Sequence, residues 1–421
     1  MIKVGNLFKL FYIVLLFLFI DSRFTVPVFN GYYKWFSYVF ITFFGICIIA
    51  ELLINKKIKI SPQSKSLNIA GLIILYFIIF IFTSQFSVMV NKVYGEIFNW
   101  VLFLLNMFVT YYWIKRFHFE KFFILTTFFV SALVIVYAFI SNGAPLYVLF
   151  RLDKVFSNVD RYRLNFGYYH VNGLGNLCTF AIIFSVFSFI QIKKIFLKRN
   201  IIRRALFSII VILDIFVLIV LLSTASRNSI LCLLIFAILC LYFFFTNTKY
   251  LTKKAKTFTR ICIIVALMSI VVFQLSETSE TIVQLFVDSN RMKNYLVNIP
   301  VLIDNNGLLF GLGLFNPGLF GTGETLFYNT YFIDNYYLYV IMETGIIGIL
   351  LIAIILYKTG HQLFLKYKNS KNAFTIVVFS CFIAQIINGM GETSLFFYSF
   401  PSCLGYWILF LLTISDTIMY E

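Results

Sequence analysis

Long apolar runs dominate the chain, and short polar or glycine-rich segments separate them. A helix that crosses a hydrocarbon core of ~30 Å needs about 20 apolar residues, and about 17 are enough. Eight runs are near that length, at residues 35–54, 67–90, 97–114, 122–140, 168–190, 205–222, 230–246 and 337–357. Four shorter or less regular runs lie at residues 7–20, 261–275, 374–390 and 401–419. The pattern therefore predicts about twelve transmembrane segments.

These segments are predicted to be helices. Lipid offers no hydrogen-bond partner to the backbone, so a membrane span is either a helix or part of a closed barrel. The runs are long and do not alternate between polar and apolar residues, as barrel strands do. We therefore expect an all-α polytopic membrane protein in which residues 1–421 form a single integral membrane domain.

The composition excludes soluble classes of protein. Of the 421 residues, 61% are hydrophobic and only 12% are charged, whereas soluble proteins carry about a quarter charged residues. Such a chain has too few polar side chains for a soluble enzyme, a disordered protein or a secreted disulfide scaffold. All seven cysteines lie in apolar runs, which argues against a disulfide framework or a cysteine metal site. No small-residue cleavage site follows the first run, so it is interpreted as a retained span.

The net charge of +17 indicates orientation rather than a nucleic-acid partner, because the basic residues lie between apolar runs. Most of them fall in alternate connections, and the positive-inside rule places those connections and both termini in the cytoplasm. The opposite connections then face outward and include two long loops, residues 141–167 and 276–336. Loops of that length in a compact bundle are usually functional, so chemistry is expected at the outer face.

Arginines on this outer face are candidates for phosphate binding. Arg161 and Arg163 lie in the first long loop, Arg227 lies in a short hairpin between two spans, and Arg291 lies in the second long loop. Guanidinium groups bind phosphate bidentately and stay charged at any relevant pH, so the three segments are suited to a diphosphate. The alternative is contact with lipid phosphates, which applies most to Arg151, Lys154 and Lys293.

The remaining polar candidates each have two interpretations. His170, the only outward histidine, either lines a site or acts as a base, or it is a hydrogen-bonded structural residue. Asp334 is either a general base or the N-cap of the next span. Asp214, deep in a span, either serves a proton or ion path or pairs with Gln385 or Asn106.

Apolar residues recur at helical spacing from 281 to 299 in the second long loop, which predicts an amphipathic helix there. Glycine-rich residues 307–323 follow it. Their Gly311-Leu312-Gly313 is not a dinucleotide motif, because no βαβ unit surrounds it.

Four motifs occur in one order along residues 168–351. They are His170-Val-Asn172-Gly-Leu-Gly175, Ser226-Arg227-Asn228-Ser229, Arg291 ahead of Leu309-Phe-Gly-Leu-Gly313, and Asp334-Asn335-Tyr336-Tyr337-Leu338 followed by Glu343-Thr-Gly345-Ile-Ile-Gly348. Together they resemble the O-antigen ligase/polymerase family, in particular the Wzy-type polymerases of capsule and O-antigen synthesis.

The resemblance implies a metal-independent, cofactor-free glycosyltransferase of the membrane-embedded C-type fold with a large outer loop. Its substrate is an oligosaccharide on undecaprenyl diphosphate in a bacterial inner or plasma membrane. The implied partners are this substrate, membrane lipids, flippase proteins and chain-length regulators, with no nucleic acid.

The resemblance also implies roles for individual residues. Arg227, Arg291 and either Arg161 or Arg163 correspond to the arginines that hold the diphosphates. Asp334 is the first candidate for the general base and His170 the second. The substrate-binding set is completed by Asn172, Asn335, Tyr336 and Glu343.

Two other functions compete with the polymerase. Ligases of this family carry a histidine where this chain has Asp334, which favours a polymerase over an O-antigen or wall-glycan ligase. A flippase or transporter of lipid-linked oligosaccharide would place charged residues along a central path. Here only Asp214 is deep and the arginines lie outside, which counts against transport.

Overall fold

The structure is a computed structural model, which describes residues 2–25, 27–28, 32–55, 65–86, 90–142, 164–195, 200–247, 290–313, 333, 335–370 and 372–415. Within these ranges the chain is helical and contains no strand. A single isolated antiparallel bridge joins Phe24 and Tyr168. The predicted all-helical class is confirmed.

Twelve helices lie in the described ranges. They are α1 (Ile2–Asp21), α2 (Tyr32–Asn55), α3 (Lys65–Ser84), α4 (Val90–Phe117), α5 (Glu120–Ser141), α6 (Val171–Ile195), α7 (Asn200–Ser223), α8 (Arg227–Asn247), α9 (Asn290–Asp304), α10 (Tyr336–Ser370), α11 (Ala373–Asn388) and α12 (Pro401–Ile414).

Nine of these helices, α1 to α8 and α10, are long and apolar enough to cross a membrane. Helices α11 and α12 are shorter and apolar. The chain is therefore a multi-pass membrane protein. The predicted span at 261–275 lies outside the described residues. The prediction of one span over 67–90 was wrong at its end, because α3 stops at Ser84 and α4 already begins at Val90.

The amphipathic helix predicted at 281–299 corresponds to α9, which begins at Asn290 and runs on to Asp304. Residues 281–289 lie outside the described part of the chain. Pro300 lies inside this helix. The prediction is therefore confirmed for residues 290–299, and the helix continues beyond the predicted end to Asp304.

Two groups of helix ends define the two ends of the bundle. We call the end that carries the α7–α8 connection the hairpin end. There the C-terminus of α1 meets the N-terminus of α6, because the backbone N–H of Tyr169 donates to the carbonyl of Arg23 at 3.0 Å. The C-terminus of α5 joins them through Asn142, whose Nδ2 donates to the carbonyl of Phe166 at 2.7 Å.

The opposite end, which we call the basic end, carries Lys9, Arg116 and Arg204. Arg116 Nε lies 2.6 Å from Glu51 Oε1 and ties the C-termini of α4 and α2 together. Lys9 Nζ lies 4.1 Å from the ring centroid of Phe119, just before α5. Helices α1, α2, α4 and α5 therefore alternate in direction, as expected for successive crossings.

Aromatic side chains fill the interior. Trp100 is 2% exposed, and its ring lies 5.5 to 5.7 Å from the rings of Phe396, Phe397 and Tyr398. These three residues belong to the connection between α11 and α12, so this connection packs into the bundle at the hairpin end. The outer surface of the helices carries exposed leucine, isoleucine and phenylalanine side chains, as expected for a surface that faces lipid.

Candidate functional site

The connection between α7 and α8 is very short. It consists of Thr224, Ala225 and Ser226, and α8 starts at Arg227. Ala225 is fully buried with φ 48°, a left-handed conformation that side-chain-bearing residues adopt rarely and usually where the surroundings force it. Arg227 is half-buried. The tight turn therefore fixes the position of Arg227 at the hairpin end.

Helix α6 approaches this turn closely because Gly175 has no side chain. A Cβ atom at Gly175 would lie 2.7 Å from both the Cβ of Ser226 and the Oγ of Ser229. The hydroxyls of Ser226 and Ser229 are 2.9 Å apart and share a hydrogen bond. Thr179 Oγ1 donates to the carbonyl of Ser229 at 3.1 Å. The His170–Gly175 and Ser226–Ser229 motifs therefore belong to adjacent helix ends.

A buried asparagine cluster, which sequence reasoning missed, joins three helices beside Arg227. Asn228 Nδ2 donates to the side-chain oxygen of Asn388 at the end of α11. Asn388 Nδ2 lies 3.2 Å from Asn176 Oδ1 on α6 and 2.9 Å from Ser394 Oγ. Each of these residues is less than 9% exposed. Asn228 belongs to a sequence motif, but its partners Asn176 and Asn388 gave no signal, because nothing in the sequence links residues more than 150 positions apart.

Asn335 caps α10. Its Oδ1 accepts from the backbone N–H groups of Tyr337 (2.9 Å) and Leu338 (3.0 Å). Its Nδ2 donates to the hydroxyl of Tyr295 and to the carbonyl of Met390, both at 2.7 Å. The sequence left open whether Asp334 is the N-cap of this helix, and in the structure Asn335 has that role. Asp334 itself lies outside the described residues. A substrate that contacts the Asn335 amide would have to displace one of these bonds.

The two glycine motifs dock against each other through the backbone. Gly345 has φ 65° and ψ −162°, and it interrupts α10. The carbonyls that this break frees on Met342 and Glu343 accept from Leu312 N at 2.7 Å and Gly313 N at 3.2 Å. Residues 308–313 thus replace the hydrogen bonds that the helix loses, as a broken helix within a membrane protein requires.

Glu343 lies at this break and is completely buried. Tyr339 on the same helix and Tyr76 on α3 lie beside it. The sequence interpretation assigned Glu343 to substrate binding. The carboxyl group has no exposed surface, so a substrate reaches it only if the residues packed around it move.

The other predicted site residues that the structure describes lie at the hairpin end. His170 is exposed just before α6, Asn172 is half-buried in its first turn, and Tyr336 is buried at the start of α10. The backbone of Arg291 lies in the first turn of α9. Arg161 and Arg163 lie outside the described residues.

A continuous path of contacts connects the Arg227 and Arg291 segments. Asn228, next to Arg227, donates to Asn388. The next carbonyl, that of Gly389, accepts from Tyr336 N at 2.9 Å. The neighbouring Asn335 donates to Tyr295, one helical turn after Arg291. The structure therefore brings these two arginine-bearing helix ends to one end of the bundle.

Asp214 pairs with neither of the residues considered for it. Asn106 donates to Ser37 Oγ at 3.2 Å, and Gln385 donates to Cys232 Sγ at 3.5 Å. Asp214 instead lies beside Ser185 of α6. The structure shows neither pairing, because α7, which carries Asp214, packs mainly on α5, α6 and α8 rather than on the helices that carry Asn106 and Gln385.

Sequence reasoning also missed a polar pocket of about 270 Å³ at the hairpin end. Arg23, Lys34 and Tyr398 are among its lining residues. Burial and the neighbouring Glu96 carboxylate raise the pKa of Tyr398, and the positive charge of Arg23 lowers it in part. The signal was present in the sequence, since Arg23 and Lys34 are two cations in the short connection between the first two apolar runs.

No group of three histidine, cysteine, aspartate or glutamate side chains in the described part of the chain is placed to hold a metal ion. Comparison with known proteins found no matching family model and no significant match among curated proteins.

Proposed function

We propose that this protein is a polysaccharide polymerase of the bacterial inner or plasma membrane, similar to the Wzy-type enzymes. It transfers a growing glycan from undecaprenyl diphosphate to a hydroxyl of the next lipid-linked repeat unit. In this reaction the acceptor oxygen forms a bond to the anomeric carbon, and the bond from that carbon to the diphosphate breaks. The diphosphate lipid leaves with the electron pair, and the acceptor proton passes to a base.

The observation that carries the proposal is that the helix ends bearing Arg227 and Arg291 lie at the same end of the bundle, linked through the end of α11 and the start of α10. Each arginine lies in the first turn of its helix, and neither first turn contains an acid. A helix N-terminus already carries partial positive charge, which adds to the charge of the guanidinium, so each of these helix starts is suited to bind an anion. A diphosphate supplies that anion.

The same arrangement supports catalysis by charge stabilisation. Negative charge grows on the diphosphate as the glycosidic bond breaks, and fixed cations that face it lower the barrier. We propose Asp334 as the general base and His170 as the second candidate, because a carboxylate or imidazole within reach can take the acceptor proton. His170 is exposed at the hairpin end, which is compatible with contact to an incoming acceptor.

The proposal requires the hairpin end to face away from the cytoplasm, with both termini inside. We expect Asn165→Cys, in an exposed loop at the hairpin end, to react with a membrane-impermeant maleimide in intact cells. Arg204→Cys, exposed at the basic end, should react only after permeabilisation. Four of the six described native cysteines are buried and should not react. Labelling of the parent protein measures the background from the others. Reversed reactivity of the two variants would contradict the orientation.

A ligase of the same family and a transporter of lipid-linked oligosaccharide are the alternatives. Analysis of lipid-linked glycans in cells that lack the protein separates the three. Loss of a polymerase leaves single repeat units on the outer leaflet and no long chains. Loss of a ligase leaves long chains on the lipid, and loss of a transporter leaves single units on the inner leaflet; either result would overturn the proposal.

A further inference from the structure

Two cavities flank the connection between α1 and α2. The polar pocket of about 270 Å³ is lined by Arg23 and Lys34 together with Ser22, Asn99, Tyr169 and Tyr398. Beside it, a groove of about 920 Å³ between α1, α2 and α5 is lined by apolar residues such as Phe17, Trp35 and Leu133. None of the residues on which the proposed function depends lines either cavity.

The two cavities are neighbours along the chain. Pro27 lines the pocket and Val28 the groove, and on α2 Tyr33 lines the pocket while Tyr32 lines the groove. Trp35 is 72% exposed and Tyr32 is 61% exposed. Exposed tryptophan and tyrosine at a helix end are typical of the membrane–water interface, which places the pocket at the level of lipid head groups.

Among the described residues, the pocket lining contains two cations and no acid. Arg23 forms one side-chain hydrogen bond, from Nη1 to Ser399 Oγ at 3.2 Å, and its guanidinium lies 5.2 Å from the ring centroid of Phe19. Its Nε is buried without a hydrogen-bond partner, and Arg23 forms no ion pair with any described residue. Lys34 adds a second, exposed cation. Two acids lie near the pocket but not in its lining. Glu96 lies beside Asn99 and Tyr398, and Asp21 is buried and accepts from the backbone N–H of Val28.

The buried Nε of Arg23 lacks a partner among the described residues, which is costly, and guanidinium N–H groups match phosphate oxygens. Two cations suit a terminal phosphate, which carries a charge of about −1.5 to −2 at neutral pH. They suit a phosphodiester less well, because a phosphodiester carries one negative charge. The apolar groove next to the pocket offers a place for the hydrocarbon chain attached to such a phosphate.

We propose that the pocket binds the terminal phosphate of a membrane lipid whose hydrocarbon chain lies in the α1–α2–α5 groove. The ligand class is a single-chain lipid phosphate or diphosphate, such as a polyprenyl phosphate. This inference needs only a phosphate at the head-group level and an apolar chain beside it, so it holds or fails independently of the polymerase reaction.

The test measures binding of polyprenyl monophosphate, phosphatidylglycerol and inorganic phosphate to the purified full chain by native mass spectrometry. We expect the lipid monophosphate to bind at least ~10-fold more tightly than either other probe. The double variant Arg23→Gln/Lys34→Gln should lose ~10- to 100-fold in affinity, the range expected for charge-assisted hydrogen bonds. The matched double variant Lys65→Gln/Arg204→Gln, at the basic end, should bind as the parent does.

Two further variants separate the pocket from the groove. Arg23→Lys keeps the charge and should retain part of the affinity, which distinguishes lost binding from a fold that failed. Leu133→Trp fills the groove, so it should weaken binding of the lipid and leave binding of inorganic phosphate unchanged. Equal binding of phosphatidylglycerol, or unchanged lipid binding in the Arg23→Gln/Lys34→Gln or Leu133→Trp variant, would overturn the proposal.

Discussion

Replacing Arg227 with alanine is expected to abolish long-chain glycan while single lipid-linked units remain. The side chain lies in the first turn of α8 at the hairpin end, where the proposal places the leaving diphosphate. Loss of one group that stabilises developing charge slows catalysis on the order of 10²–10³-fold. Chain length on gels and the rate of unit consumption in membranes measure the effect.

The matched control is Arg204→Ala. Arg204 is an exposed arginine near the N-terminus of α7 at the basic end, so it tests the loss of one arginine near a helix start away from the proposed site. Arg227→Lys keeps the charge but cannot form the bidentate contact, and we expect an intermediate rate. Normal chain length in Arg227→Ala would refute the site assignment.

Replacing Gly345 with alanine is expected to destabilise the protein strongly. Gly345 has a positive φ in a region open only to glycine, and an added Cβ would collide with the carbonyl of Leu309. The backbone conformation alone costs about 1–3 kcal/mol, and the collision also breaks the docking of residues 308–313. The thermal unfolding midpoint of the purified protein should fall by several degrees, and residues 308–313 should become more sensitive to protease.

Gly71→Ala is the matched control for this change. Gly71 lies within α3, and nothing lies within 4 Å of a Cβ added there. Alanine is the better helix former, so this variant should be as stable as the parent or slightly more stable. Equal unfolding midpoints for the Gly71 and Gly345 variants would show that the docked break in α10 does not matter for stability.

The sequence predicted the helices because membrane helices must be apolar over their whole length. Their limits depend on local contacts that composition does not contain. The span predicted to continue to residue 90 ends at Ser84, since an apolar run continues across the turn between α3 and α4. Similarly, the cap of α10 falls on Asn335 rather than on the preceding aspartate.

The motifs predicted that their segments would lie at one end of the bundle, but they did not predict which contacts each side chain makes at that end. Gly311 and Gly345 belong to separate sequence motifs, and the structure shows that their segments replace each other's missing hydrogen bonds. Glu343 has no exposed surface because the residues packed around it cover it. Asn388 gave no signal, since its partners Asn176 and Asn228 come from other helices. Arrangements of this kind depend on the packing of distant segments.

The most direct measurement of the proposed function uses the purified protein, undecaprenyl-diphosphate-linked repeat units and a chelator, with no nucleotide sugar. The account predicts a ladder of lengthened glycans on the lipid and release of undecaprenyl diphosphate, both greatly reduced by Arg227→Ala. The account is contradicted if the folded parent protein is given the repeat units made by the cell of origin and leaves them as single units.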